Sequence, residues 1–131
     1  KGCLEQYASA TGLVRLAKRY FEKNTKNSIL TGKEITAKEV FDAAKAGDAA
    51  ALEITEEFGA YLGQALVNLA ATVDPAVFVI GGGVSKAGDI LLETVRKYFY
   101  DHAFYGNQKT KITLATLGND AGIYGTAKQV L

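Results

Sequence analysis

The stretch Val77-Phe-Val-Ile-Gly-Gly-Gly-Val-Ser-Lys-Ala-Gly-Asp89 decides how this chain folds. Val77, Phe78, Val79 and Ile80 are β-branched or aromatic, and an unbroken run of them predicts a strand buried on both faces, as in the parallel sheet of an α/β protein. Gly81, Gly82 and Gly83 then predict a tight turn leading into a helix. Lacking a Cβ, they can take positive φ and bring bare backbone against a flat base, a sugar or a phosphate. The turn therefore points to a nucleotide ligand rather than to a membrane or DNA. Neither familiar phosphate loop is present. A G-x-G-x-x-G fingerprint from Gly81 needs glycine at position 86 and meets Lys86, and a P-loop from Gly83 reaches Gly88 but then meets Asp89-Ile90. The residues alone fit equally well a glycine turn that only lets a helix pack tightly on a strand.

Composition sets the outer bounds. With 131 residues and 48% hydrophobic content the chain has the material for one globular domain with a sizeable core. Fifteen Lys and Arg against fourteen Asp and Glu leave a formal charge of +1. That balance supplies no strong field for nucleic acid or anionic lipid, so both are excluded as expected partners. The longest charge-free run, Phe58 to Val73, carries Gln64 and Asn68 and is shorter than the roughly 20 residues of a membrane span, so it reads as a core helix. The single cysteine cannot form an internal disulfide and no charged-then-apolar leader opens the chain, which fits a reducing cytoplasm. There is no methionine and the chain opens Lys1-Gly2-Cys3, so it is expected to be a piece of a longer protein.

Around the glycine stretch the periodicity is mostly helical. Apolar residues from Leu4 to Phe21 recur at helical spacing with an interruption at Ser9-Ala-Thr-Gly12, predicting one broken helix or a short helix before a longer one. Glu22 to Glu34 reads as a solvated loop. Thr36 with Glu39 has capping-box spacing for a helix through Val40, Phe41, Ala44 and Lys45, closed by Gly47. Asp48 can cap a central helix whose wide apolar face is drawn through Leu52, Phe58, Tyr61, Leu62, Ala65, Leu66, Leu69, Ala70 and Val73. Gly59 and Gly63 each cost that helix about 1 kcal/mol relative to alanine, so a close packing contact is expected to compensate. Asp74-Pro75 ends it. A strand over 76–80, a helix from Gly88 to Tyr100 with Ile90, Leu91, Val95 and Phe99 inward, and a strand over 111–117 complete a strand-helix-strand unit of parallel neighbours. A last helix, capped by Gly118-Asn119-Asp120, carries a small-residue stripe of Ala121, Gly122 and Gly125.

Three signatures together carry a family resemblance: Gly2-Cys3-Leu4-Glu5 followed by Ala8-Ser9; Val79-Ile-Gly-Gly-Gly-Val-Ser85; and Leu117-Gly-Asn-Asp-Ala-Gly-Ile-Tyr-Gly-Thr-Ala127. In this order, across nearly the whole chain, they resemble the ROK family of bacterial sugar kinases and sugar-sensing repressors, most of all its Gram-positive glucokinases. The resemblance implies the two-lobed actin/hexokinase-like (ribonuclease H-like) ATPase fold. Residues 1–131 would form a single domain, a truncated C-terminal lobe that is helix-rich with a parallel strand pair. It implies that Cys3 is the last ligand of a structural Zn2+ site whose histidine and two further cysteines lie upstream. A lone thiolate cannot hold zinc tetrahedrally, so within these residues Cys3 is expected to be a free thiol. Glu5 matches the family's carboxylate that accepts hydrogen bonds from sugar hydroxyls, although a glutamate there could also serve only the helix dipole. Gly81, Gly82 and Gly83 match its adenosine motif, with Ser85 adding a hydroxyl or a cap. Gly122 and Gly125 match its interdomain helix and are expected to serve packing first.

The activity so implied is transfer of the γ-phosphoryl of ATP, with Mg2+, to the 6-hydroxyl of glucose, at the head of glycolysis. The base would be an aspartate outside this chain, which alone should then be inactive. None of Asp42, Asp48, Asp74, Asp89, Asp101 or Asp120 matches that base, and His102, the only histidine, reads as a surface or capping group. The alternatives are the sensor domain of a ROK repressor, a ROK kinase for N-acetylmannosamine or fructose, and an α/β module that binds adenine nucleotide or a protein without chemistry. A lone strand pair needs cover, so self-association is expected, either through the Leu52 to Val73 helix or as the family's homodimer through this lobe.

Overall fold

A computed structural model describes residues 2–118 and 121–130. The chain opens with a 3-10 turn, Leu4–Gln6, and continues through helices α1 (Ala10–Lys23), α2 (Ala37–Lys45) and α3 (Ala49–Val73). Strand β1 (Val77–Ile80), a 3-10 turn at Gly83–Ala87, helix α4 (Asp89–His102), a 3-10 turn at Tyr105–Asn107 and strand β2 (Lys111–Leu114) follow. Helix α5 (Ala121–Val130) comes last, and the expected cap residues Asn119 and Asp120 lie outside the described residues.

Local chemistry sets most of the boundaries. The interruption at Ser9 is a cap: its Oγ accepts the Gly12 amide at 3.0 Å, so the chain makes a short turn and then a longer helix. Thr36 and Glu39 form the capping box reciprocally, Glu39 N donating to Thr36 Oγ1 at 3.2 Å and Thr36 N to Glu39 Oε2 at 2.9 Å. Gly47, at φ 83°, closes α2. Asp48 starts α3 by accepting Ala51 N at 2.9 Å, and it also holds the preceding loop through Ile29 N at 2.8 Å and Ser28 Oγ at 3.0 Å. At the far end Asp74 takes a left-handed backbone, φ 41° and ψ 58°, a conformation uncommon outside glycine and asparagine. Buried Asn107 supports it, donating to Ala70 O at 3.2 Å and Asp74 Oδ1 at 2.8 Å.

The core lies where α3 crosses α4, with α2 and α1 against the other side of α3. Phe58 is fully buried and meets Phe41 edge to face at 6.0 Å, while Phe99 meets Phe78 of β1 in the same way at 6.0 Å. The compensation expected at the two α3 glycines is present. A Cβ on Gly59 would lie 2.7 Å from Thr94 Cβ, and one on Gly63 would lie 2.9 Å from Tyr98 Cβ, so both positions let α4 approach the bare α3 backbone. This contact also corrects the apolar face drawn along α3. The buried seam runs through Ala51, Ile54, Thr55, Phe58, Gly59, Gly63, Leu66 and Ala70, whereas Leu52, Tyr61, Leu69 and Val73 are exposed. Gly59 and Gly63 permit the closest approach of α4 along this seam, and Ile54, Phe58 and Leu66 fill it beside them.

Strands β1 and β2 pair in parallel across α4, Val77 opposite Lys111 and Ile80 opposite Leu114. Arg96 of α4 clamps this unit by donating through Nε to the Ile112 carbonyl at 3.2 Å. The expectation that β1 is buried on both faces is corrected. Phe78 and Ile80 point into the core, but Val77 and Val79 are 45% and 60% exposed on the opposite face, because only one side of the two-stranded sheet is covered by helices among the described residues. Strand β1 ends at Ile80 as expected but starts one residue later, at Val77, and β2 is shorter than expected, ending at Leu114 rather than Leu117. No helix among the described residues is long and apolar enough to cross a membrane.

Candidate functional site

The glycine turn leaves backbone uncovered. Gly82 has φ 78° and ψ −167°, a region essentially closed to side chains, and it swings the chain out of β1 into the Gly83–Ala87 turn. A Cβ on Gly83 would meet nothing within 4 Å, whereas one on Gly81 would touch Ala115 Cβ at 3.5 Å. Gly81 therefore packs against the chain leaving β2, and Gly83 faces open space. Ser85 is satisfied locally, its Oγ donating to Gly82 O at 2.7 Å, so it stabilises the turn.

Gly83, Val84, Lys86 and Ala87 form one wall of a cleft of about 190 Å³. The opposite wall is α2, through Ala37, Lys38, Phe41, Asp42 and Lys45. Drug-sized ligands occupy pockets of about 300–1,000 Å³, so a volume below that range suits one flat ring system. The lining is mostly apolar, and its charged members are Lys38, Lys45, Lys86 and Asp42. Lys38 Nζ donates to Asp42 Oδ2 at 2.6 Å. That bond raises the lysine's pKa above its ordinary value and lowers that of Asp42. The α2 wall was not legible as part of a site: its apolar residues read as core, and it lies some forty positions before the glycines.

Glu5 occupies the exposed Leu4–Gln6 turn, which packs against α1 and α3, while the glycine turn packs against α2 and α4. The two predicted binding elements are thus set on different supports, and the cleft beside Gly83 does not include Glu5. Cys3 is an exposed free thiol at the head of Glu5's turn. Among the described residues no group of three or more His, Cys, Asp or Glu could hold a metal, so these residues by themselves do not fit a tetrahedral zinc site. His102 ends α4 with its ring stacked on Tyr98 at 4.0 Å and Nδ1 2.8 Å from the Tyr98 carbonyl, a helix-end contact rather than a base. Gly122 and Gly125 have open space where a Cβ would stand, and all of α5 is exposed. No close packing contact forms at either glycine among the described residues.

Comparison with known proteins places these features. The whole chain, residues 1–131, matches the ROK family. Glucokinase of Halalkalibacterium halodurans is 43% identical over 129 residues, which cover 95% of this chain and 39% of that protein. Among solved structures, a ROK family glucokinase from Streptomyces griseus in complex with glucose and AMPPNP superposes with a TM-score of 0.87 at 35% identity, over 98% of this chain and 44% of that one. A ROK family transcriptional regulator, a homologue of the E. coli MLC protein, superposes with a TM-score of 0.70 at 26% identity, over 86% of this chain and 29% of that one. The helix-rich layer on a parallel strand pair is therefore part of the actin/hexokinase-like fold of sugar kinases. The chain belongs to the ROK family. It spans about two fifths of the length of the glucokinases it matches, 39% and 44%.

Proposed function

We propose that the full-length protein is an ATP-dependent glucokinase and that this chain, as most of its C-terminal lobe, supplies a wall of the nucleotide site and one sugar-binding carboxylate. The observation that carries this is the cleft between Gly83 and α2, where a backbone bend restricted to glycine stands beside a small, mostly apolar slot lined also by Lys38, Asp42, Lys45 and Lys86. The 43% and 35% identities to glucokinases support the choice of reaction and of glucose. When bound, ATP with magnesium supplies the phosphoryl group and the positive charge that screens it. Gly83, Val84, Ala87 and Phe41 would hold the base by apolar contact, and Lys45 and Lys86 of the lining would favour an anionic ligand. Glu5 would accept hydrogen bonds from sugar hydroxyls and so orient the acceptor. The base that takes the 6-hydroxyl proton would be, as the family resemblance implies, an aspartate outside this chain; within it Asp42 pairs with Lys38, Asp48 caps α3 and Asp74 accepts from Asn107. Residues 1–131 alone would then be inactive.

The test is ADP release by the full-length protein with ATP, magnesium and a panel of hexoses and N-acetylhexosamines. Preferential turnover of glucose is expected. Turnover of another sugar would keep the mechanism and change the substrate, and sugar binding without turnover would favour the repressor reading, which the superposition on the transcriptional regulator supports. Two further assignments belong to the same reading. Cys3 would complete a structural zinc site with residues outside this chain, checked by zinc content of the full-length protein before and after Cys3→Ser. The exposed Val77, Val79, Leu69 and Val73 would be covered in a homodimer through this lobe, which sedimentation at micromolar concentration would show.

A further inference from the structure

We infer that Ser9, Gly12 and Arg15 of α1 are positioning residues for Glu5: they lock the Leu4–Gln6 turn onto the first turns of the helix so that the carboxylate is presented in one orientation. The inference rests on the reading of Glu5 as a sugar-binding group. The turn itself is weak. It is three residues long, none of them buried, and its cap residue Cys3 makes no side-chain bond. A 3-10 turn of that length has little stability of its own.

Three contacts from α1 replace what the turn lacks. Ser9 Oγ donates to the Glu5 carbonyl at 2.6 Å while accepting the Gly12 amide at 3.0 Å, so one hydroxyl joins the residue of interest to the start of the helix. Arg15 Nη1 donates to the Gln6 carbonyl at 2.9 Å and also reaches Gln6 Oε1, gripping the next residue by backbone and side chain. Gly12 makes the approach possible: a Cβ there would lie 2.7 Å from the Tyr7 carbonyl carbon and 2.7 Å from its oxygen. A methyl cannot fit without moving the backbone of the turn. On the other side Tyr7 leans on Tyr61 of α3, ring centres 4.9 Å apart, so the segment is held between two helices. The side chain of Glu5 is left exposed while its own carbonyl and that of Gln6 are fixed. A polar group intended for a ligand is presented this way, with its backbone held and, among the described residues, its head without a partner.

The experiment compares Ser9→Ala, Ser9→Thr, Arg15→Ala and Gly12→Ala with Glu5→Gln in the full-length protein, reading KM for sugar and KM for ATP separately, with melting temperature as the control for folding. Arg15 is exposed, so its variant should fold even if Gly12→Ala does not. The expected result is a rise in sugar KM on the order of tenfold for Ser9→Ala and Arg15→Ala, the scale of loss a displaced binding group causes. ATP KM should stay unchanged, and Ser9→Thr, which keeps the hydroxyl, should restore the sugar KM. If Glu5→Gln raises the sugar KM but Ser9→Ala and Arg15→Ala do not, or if they raise both KM values together, the positioning role is overturned while the reading of Glu5 stands. If Glu5→Gln leaves sugar KM and kcat unchanged, the reading of Glu5 falls and the positioning role falls with it.

Discussion

Two sets of glycines in this chain do opposite things. At Gly59 and Gly63 the space of the missing side chain is already taken, by Thr94 and Tyr98 of α4, and the absence of a Cβ is converted into helix contact. At Gly82 and Gly83 the space is empty, and the absence of a Cβ leaves backbone open beside a cleft. A glycine is thus structural or ligand-facing according to what stands where its side chain would be. Sequence shows only that it is glycine.

That contrast makes graded predictions. Gly59→Val should be the most damaging, because the nearest atoms include the Thr94 backbone carbonyl carbon at 3.0 Å and cannot simply rotate away. A loss of about 3 kcal/mol is expected in urea unfolding, the upper end for overpacking. Gly82→Ala should cost roughly 1–3 kcal/mol, the strain of a side chain in a glycine-only backbone region, and should also raise KM for ATP by shifting the turn. If Gly82→Ala were neutral on both counts, the bend would not be what shapes the cleft.

Asp48→Ala removes a cap and should cost about 1 kcal/mol near neutral pH. Burial opposes the charged carboxylate, but the Ala51 and Ile29 amides and the Ser28 hydroxyl outweigh it and hold its pKa below the ordinary value. With the folded pKa lowered, the stabilisation is fully present above the unfolded value of about 4 and is lost as pH falls through the folded one. Unfolding curves of the wild type and Asp48→Ala should therefore converge in acid. Gly83→Ala should have the smallest effect on stability, within about 0.5 kcal/mol, since nothing crowds the position. It should raise KM for ATP without altering KM for sugar. A stability loss there as large as at Gly59 would erase the distinction between the two glycine sets.

Much of the fold was legible before the structure because it depends on local chemistry. Thr36 with Glu39, and Asp48, each satisfy amides that a helix start leaves free, and Gly47 closes a helix in a left-handed backbone, so spacing alone places these ends. The contact expected at Gly59 and Gly63 was legible too, as an unexplained cost in helix propensity. The site was less so. Gly81 to Gly83 stood out, but the facing wall of Ala37, Phe41 and Lys45 did not, because those residues are spaced as an ordinary amphipathic helix. The hold of Ser9, Gly12 and Arg15 on Glu5's turn was likewise hidden, since Ser9 and Gly12 looked only like an interruption.

Sequence by itself therefore determined the order of elements, their caps, the glycine bend after β1 and, through three signatures taken together, the family. These depend on residues within a few positions of one another, where backbone geometry leaves few choices. The tertiary structure decided which side of α3 is buried, that one face of β1 stays open, that Gly81 packs while Gly83 faces a cleft, and that α2 forms the other wall. Those outcomes depend on which distant surface arrives at a given distance, and that is fixed only when all the helices pack at once.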